Sequence, residues 1–90
     1  MQEKNIFYKS EQLLGERYYE KLAGKKVCLF GLGGVGGYTA EILVRSGISN
    51  FVLIDGDTVD ITNLNRQIIA TRSTVGMSKC VCAKKRILDI

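Results

Sequence analysis

Ninety residues, 46% of them hydrophobic and 24% charged, make one small globular domain rather than a disordered tract. A net charge of +4 suits an anionic ligand and a solvated surface equally, so it selects no partner by itself. No run of about 18 apolar residues, no signal-peptide core and no Cys-x-x-Cys pair or histidine is present, so a membrane span, secretion and zinc chemistry are set aside and a cytoplasmic protein is expected.

In chain order, residues 1–9 mix charge with Ile6, Phe7 and Tyr8 and read as an arm that packs on another surface. Ser10 is the expected N-cap of a short helix, Glu11–Leu14, which Gly15 breaks. A second helix is expected over Glu16–Leu22, presenting Tyr18, Tyr19 and Leu22, and residues 23–26 turn into a strand. Val27–Phe30 is a short apolar run of the kind a buried parallel strand needs, with Cys28 as a small core residue. The glycine turn Gly31-Leu-Gly33-Gly34-Val-Gly36 follows at once. Val35, Tyr38, Thr39, Ile42 and Leu43 then recur at helical spacing, and Gly47 stands where a C-cap glycine belongs. Phe51–Ile54 is the second strand, and Asp55 closes it. These elements are the first βαβ unit of a dinucleotide-type fold, with strands near 26–31 and 50–55 running parallel across a helical crossover.

The segment after Asp55 is polar and irregular, a loop with one helical turn around Thr62–Arg66. Asp57 and Asp60 are expected to bond their own backbone there. Ile68, Ile69 and Ala70 dock on the sheet, residues 71–76 form a polar loop, and a last helix runs from about Met77 to the end. Its buried face is expected to be Met77, Cys80, Val81, Ala83, Ile87 and Leu88. Two strands fall short of the three in a mononucleotide-binding half, so the chain reads as the N-terminal piece of a longer protein. The division is residues 1–24, an arm with short helices, and residues 25–90, the N-terminal part of a Rossmann-like α/β domain of parallel βαβα order.

Gly31, Gly33 and Gly36 satisfy G-x-G-x-x-G, and Asp55 lies 19 residues beyond Gly36, where an acid accepts hydrogen bonds from a ribose. This fits NAD, FAD, S-adenosylmethionine or ATP. The residues beyond Asp55 favour ATP, because a triphosphate needs more cationic groups than a pyrophosphate. Arg66 follows the acidic turn, with Asn63 and Asn65 beside it, and its planar fork suits phosphate oxygens; a surface ion pair with Asp57 or Asp60 is the other reading. Lys79 falls in the first turn of the last helix, where a lysine opposes the dipole at a cost of about 0.3–1 kcal/mol unless an anion is near. A solvated helix lysine is the other reading there.

The segments GLGGVGGYTAEILVRSG, LIDGDTVDITNLNRQI and STVGMSK resemble the ubiquitin-activating-enzyme-like superfamily of ThiF- and MoeB-type adenylyltransferases. NRQI, ATRSTVGMSK and the ending KKRILDI are most similar to its bacterial tRNA threonylcarbamoyladenosine dehydratase subfamily. The resemblance covers residues 10–90. It implies ATP and magnesium, a carboxylate activated as an acyl adenylate, tRNA as substrate and a homodimer. It implies that Gly34 approaches the phosphates, Asp55 holds the ribose, Asn63 and Arg66 grip the α- and β-phosphates, and Lys79 neutralises triphosphate charge. Gly31, Gly33 and Gly36 complete the nucleotide turn, and Arg66 and Lys79 carry catalysis. Two departures stand out. The family's N-terminal arginine pair, which reaches a neighbouring subunit's ATP site, is matched here by Ile6 and Lys9. Its magnesium aspartate is expected beyond Ile90, so residues 1–90 alone are expected to be inactive. A sulfur-carrier adenylyltransferase, an NAD(P)- or FAD-dependent oxidoreductase, and a non-catalytic nucleotide-binding module remain as alternatives.

Overall fold

A computed structural model describes residues 7–90, without the side chains of Glu16 and Tyr19. The arm as far as Ile6 lies outside the described residues. The order is α1 (Tyr8–Leu14), α2 (Glu16–Ala23), β1 (Lys26–Phe30), α3 (Gly34–Ser46), β2 (Asn50–Ile54), a 3-10 turn (Ile61–Asn63) and α4 (Lys79–Leu88). β1 and β2 pair in parallel, from Lys26 opposite Asn50 to Phe30 opposite Ile54, with α3 as the crossover. The expected Rossmann-like α/β fold is therefore the one observed.

The first helix starts earlier than Ser10 allows. Glu11 N–H donates to Phe7 O at 2.9 Å, so the helical ladder already runs through Ser10, which sits inside α1 and does not cap it. Lys9, the second position of the family's arginine pair, is exposed, with Nζ 6.0 Å from the Tyr8 ring centroid.

The core forms on one side of the sheet. Leu32, Val59, Ile69, Ala70, Cys82 and Ala83 are buried together, and Leu29, Leu53, Leu64, Ile68, Met77 and Cys80 pack around them. Burying each large aliphatic side chain contributes about 1.5–3 kcal/mol. Ile68, Ile69 and Ala70 thus dock as their apolarity suggests. β1 alternates, with Val27 and Leu29 inward and Lys26, Cys28 and Phe30 exposed. Cys28 is therefore a surface thiol, a correction to the core role expected of it: the alternation of a strand sends it to the same face as Phe30, which is 78% exposed.

α3 buries a different face from the one its large apolar residues mark. In α3 the buried residues are Gly37, Ala40 and Val44, while Val35 and Ile42 are 84% and 64% exposed. Small residues let α3 lie close to Ile68 and Ile69, whose Cγ2 atoms flank Gly37. Gly47 caps α3 in the left-handed conformation, as expected. α4 begins at Lys79, two residues later than Met77, with Ser78 as its N-cap. It buries Lys79, Cys82 and Ala83; of the expected face Ala83 is in the core, Met77 and Cys80 pack against it and Ile87 is half-buried, whereas Val81 and Leu88 are exposed. α3 and α4 are joined by charge as well: Arg86 grips Glu41 through Nε at 2.5 Å and Nη2 at 3.1 Å, and Arg45 joins at 2.7 Å. The Arg86 hydrogen bond, ahead of Arg45, holds the Glu41 carboxyl below its ordinary range.

Candidate nucleotide site

The site is built at the C-terminal ends of β1 and β2, where open α/β sheets bind ligands. Gly31 continues the ladder by donating to Ile54 O at 2.8 Å, then turns the chain at φ +91°, a conformation that side chains with a Cβ rarely adopt. Gly33 is the N-cap of α3 and supplies no side-chain cap. Among the described residues no hydrogen bond engages the N–H groups of Gly34, Val35 and Gly36. Three donors at the positive end of a 13-residue helix therefore face outward, which is the arrangement that holds an anionic oxygen. Gly36 is required for a different reason. A Cβ there would stand 1.9 Å from Gly31 O, so this glycine lets the helix close on the turn. At Gly34 the nearest atom to such a Cβ is Arg66 O at 3.9 Å, so the turn is open there.

Asp55 fastens this turn to β2. Its Oδ2 accepts from Leu32 N–H at 2.7 Å and its Oδ1 from Asp57 N–H at 2.8 Å. The Asp57 bond first, then the Leu32 bond and the charge of Lys79, hold its carboxyl below the ordinary value of 3.8 against the opposing effect of burial. It stays ionised at neutral pH and keeps lone pairs for a further donor.

Residues 57–59 run antiparallel to residues 76–79, with Thr58 opposite Ser78 and Lys79 N–H donating to Asp57 O at 3.0 Å. That pairing carries Lys79 to the site. Lys79 is only 7% exposed, and none of the ion pairs among the described residues includes it. A buried ammonium with no bonded carboxylate is costly and favours a site that takes an anion. Its placement replaces the solvated-lysine reading.

The turn after Asp60 is a reciprocal cap. Asp60 Oδ2 accepts from Thr62 N–H at 3.0 Å, and Asn63 Oδ1 accepts from Asp60 N–H at 2.8 Å. Asp60 thus bonds its own backbone as expected, whereas Asp57 enters the network through its main chain. Asn63 is buried, and its Nδ2 makes no hydrogen bond among the described residues. Arg66 is exposed; its Nη1 donates to Thr62 O at 3.1 Å and Asn65 Oδ1 at 3.0 Å, and it pairs with neither Asp57 nor Asp60. Its Nε and Nη2 remain as open donors.

The glycine turn of Gly31, Gly33, Gly34 and Gly36 is thus tied to Asp55 through Leu32, Lys79 lies within electrostatic reach of Asp55, and the chain at Arg66 and Gln67, just after Asn63, borders Gly33 and Gly34. Free N–H groups, an amide, a guanidinium edge and a buried ammonium outweigh one carboxylate, a donor set that fits a phosphorylated ligand. Sequence reasoning gave Gln67 no role, although it stands in the NRQI stretch that carries the family resemblance. It is 7% exposed, and its Nε2 lies 3.6 Å from where a Cβ on Gly33 would be. Its place between Arg66 and the apolar run Ile68–Ala70 is the local signal of burial. A cavity of about 670 Å³ between the 69–74 turn and the end of α4 involves none of these residues.

The fold is a Rossmann-like α/β module, and comparison with known proteins narrows the class. The ThiF family model matches residues 8–90, and the chain belongs to the ThiF family. The tRNA threonylcarbamoyladenosine dehydratase of Bacillus subtilis is 46% identical over 84 residues, which cover 93% of this chain and 33% of that protein. The crystal structure of the E. coli tRNA N6-threonylcarbamoyladenosine dehydratase TcdA in complex with ATP superimposes with a TM-score of 0.89 at 42% identity, over 92% of this chain and 34% of that one. E. coli MccB with ATP gives a TM-score of 0.88 at 31% identity, over 97% of this chain and 28% of that one. The chain spans about a third of the length of these relatives.

Proposed function

We propose that residues 25–90 are the N-terminal part of the ATP-binding domain of an adenylating enzyme, with residues 1–24 as an arm. The observation that carries this reading is the buried Lys79 ammonium, free of any ion pair among the described residues and within electrostatic reach of Asp55, the carboxylate that fastens the glycine turn. A triphosphate meets that demand better than a dinucleotide, whose pyrophosphate a helix N-terminus can hold largely alone. The likeness to an ATP-bound dehydratase supports it.

In this reading the α3 N–H groups and Gly34 hold phosphate oxygens, and Asp55 accepts from the ribose through lone pairs not taken by Leu32 and Asp57. Asn63 Nδ2 and the free edge of Arg66 bind the α- and β-phosphates, and Lys79 neutralises the remaining charge. ATP supplies an adenylyl group to a substrate carboxylate and releases pyrophosphate. The chain's share is positioning and charge stabilisation, which dominate such transfers. Magnesium would be held by an aspartate outside these 90 residues; among those described, no three His, Cys, Asp or Glu side chains converge. The substrate we propose is tRNA bearing threonylcarbamoyladenosine, by similarity to the dehydratases, in a cytoplasmic homodimer. No helix among the described residues is long and apolar enough to cross a membrane. Residues 1–90 alone are proposed to be inactive.

Calorimetry on the complete protein tests the ligand. ATP is expected to bind and NAD to give no heat. Micromolar NAD binding with no ATP binding would transfer the site to an oxidoreductase.

A further inference from the structure

Gln67 is the least economical side chain in the fold. It is 7% exposed, and its Oε1 is buried with no hydrogen-bond partner, the sole such side-chain atom among the described residues. Its Nε2 makes no hydrogen bond among them and faces the gap that the missing side chain of Gly33 leaves, 3.6 Å from where that Cβ would lie. The backbone holds it there firmly: Gln67 N–H donates to Asn63 O at 2.9 Å, and Gln67 O accepts from Ala70 N–H at 3.0 Å. A leucine would fill the same space without an orphaned acceptor, so folding alone gives no reason for an amide.

We propose that Gln67 is a further binding residue of the nucleotide site, a neutral donor whose Nε2 hydrogen-bonds a phosphate oxygen seated on the glycine turn. The inference rests on the nucleotide reading of this site. Three observations carry it. The side chain is largely buried and its Nε2 makes no hydrogen bond among the described residues, so its donors are free for a ligand. It stands over Gly33, the residue that opens the free N–H groups of α3. And the residue before it, Arg66, runs along the same turn, its carbonyl lying 3.9 Å from where a Gly34 Cβ would be. A neutral donor adds a directed hydrogen bond where Lys79 already supplies charge, and it fixes which oxygen faces the turn.

The test uses the complete protein with Gln67→Leu and Gln67→Glu, titrated with ATP and separately with adenosine, alongside thermal melts without ligand. Gln67→Leu is expected to melt at or above the parent temperature, to bind ATP about tenfold more weakly, and to bind adenosine as the parent does. Gln67→Glu brings a carboxylate to the phosphates and is expected to lose more ATP affinity than the leucine variant, again sparing adenosine. A lower melting temperature with parental ATP affinity would make Gln67 a structural residue and overturn the proposal. So would an equal loss of ATP and adenosine. If the parent protein binds neither ligand, the nucleotide reading itself fails, a result separable from these because it appears before any substitution.

Discussion

Replacing Asp55 by alanine tests whether one carboxylate both closes the glycine turn and meets the nucleotide. Two backbone N–H groups lose an ionised acceptor, at 2.7 Å and 2.8 Å. The two losses differ. Asp57 is exposed and its N–H finds water, whereas Leu32 is 0% exposed and its N–H is left buried without a partner. A buried orphan costs about 1–3 kcal/mol, and the bond to Asp57 adds about 1 kcal/mol, giving a loss of about 2–4 kcal/mol. Set against a typical domain stability of about 5–15 kcal/mol, that is a large effect. Urea unfolding of the complete protein at pH 7 measures it. The pH dependence carries a sign. Because the folded carboxyl titrates below 3.8, its contribution is full above that value and fades as the pH falls through the lower folded value. The difference between parent and variant is therefore expected to be constant from pH 7 to pH 5 and to shrink below about pH 4. A variant within about 0.5 kcal/mol of the parent at pH 7 would show that the Leu32 and Asp57 bonds do not secure the turn.

Lys79→Met removes a buried cation that lacks an ion pair, so the ligand-free protein is expected to be no less stable, while ATP binding weakens by the 1.5–3 kcal/mol of a bond to a charged group, about 10- to 150-fold; a destabilised variant with unchanged ATP affinity, read by melting and calorimetry, would contradict it. Two glycine substitutions separate packing from ligand approach. Gly36→Ala drives a Cβ against Gly31 O and is expected to cost at least about 1–3 kcal/mol of stability in urea. Gly34→Ala meets only Arg66 O at 3.9 Å, so it should fold normally and lose ATP affinity; normal ATP binding by that variant would place the phosphates elsewhere.

The order of elements was legible because it rests on local signals: apolar runs of strand length, a helix-length crossover, and glycine at the turn and at the α3 C-cap. What each element faces was less legible. Hydrophobicity marks Val35 and Ile42, but burial goes to Gly37 and Ala40, with Ile68 and Ile69 against Gly37, because close approach rewards small residues over apolar ones. Cys28 looked like core because its run is uniformly apolar, and strand alternation sent it outward. At the candidate site, residue types with an obvious charge or turn role could be selected from the chain. The interactions that only tertiary contact creates could not: the Asp55 bond to Leu32, the burial of Lys79 by the pairing of 57–59 with 76–79, and the approach of Gln67 to Gly33.

The central claim is that this site activates a carboxylate through the α-phosphorus of ATP. Incubating the complete protein with magnesium, ATP and tRNA carrying threonylcarbamoyladenosine, and separating the nucleotide products, tests it most directly. AMP and pyrophosphate are expected to accumulate only when the modified tRNA is present and to fall about 10²-fold or more in Arg66→Ala. ADP and phosphate as the products, or AMP formation equal with and without the modified tRNA, would contradict it.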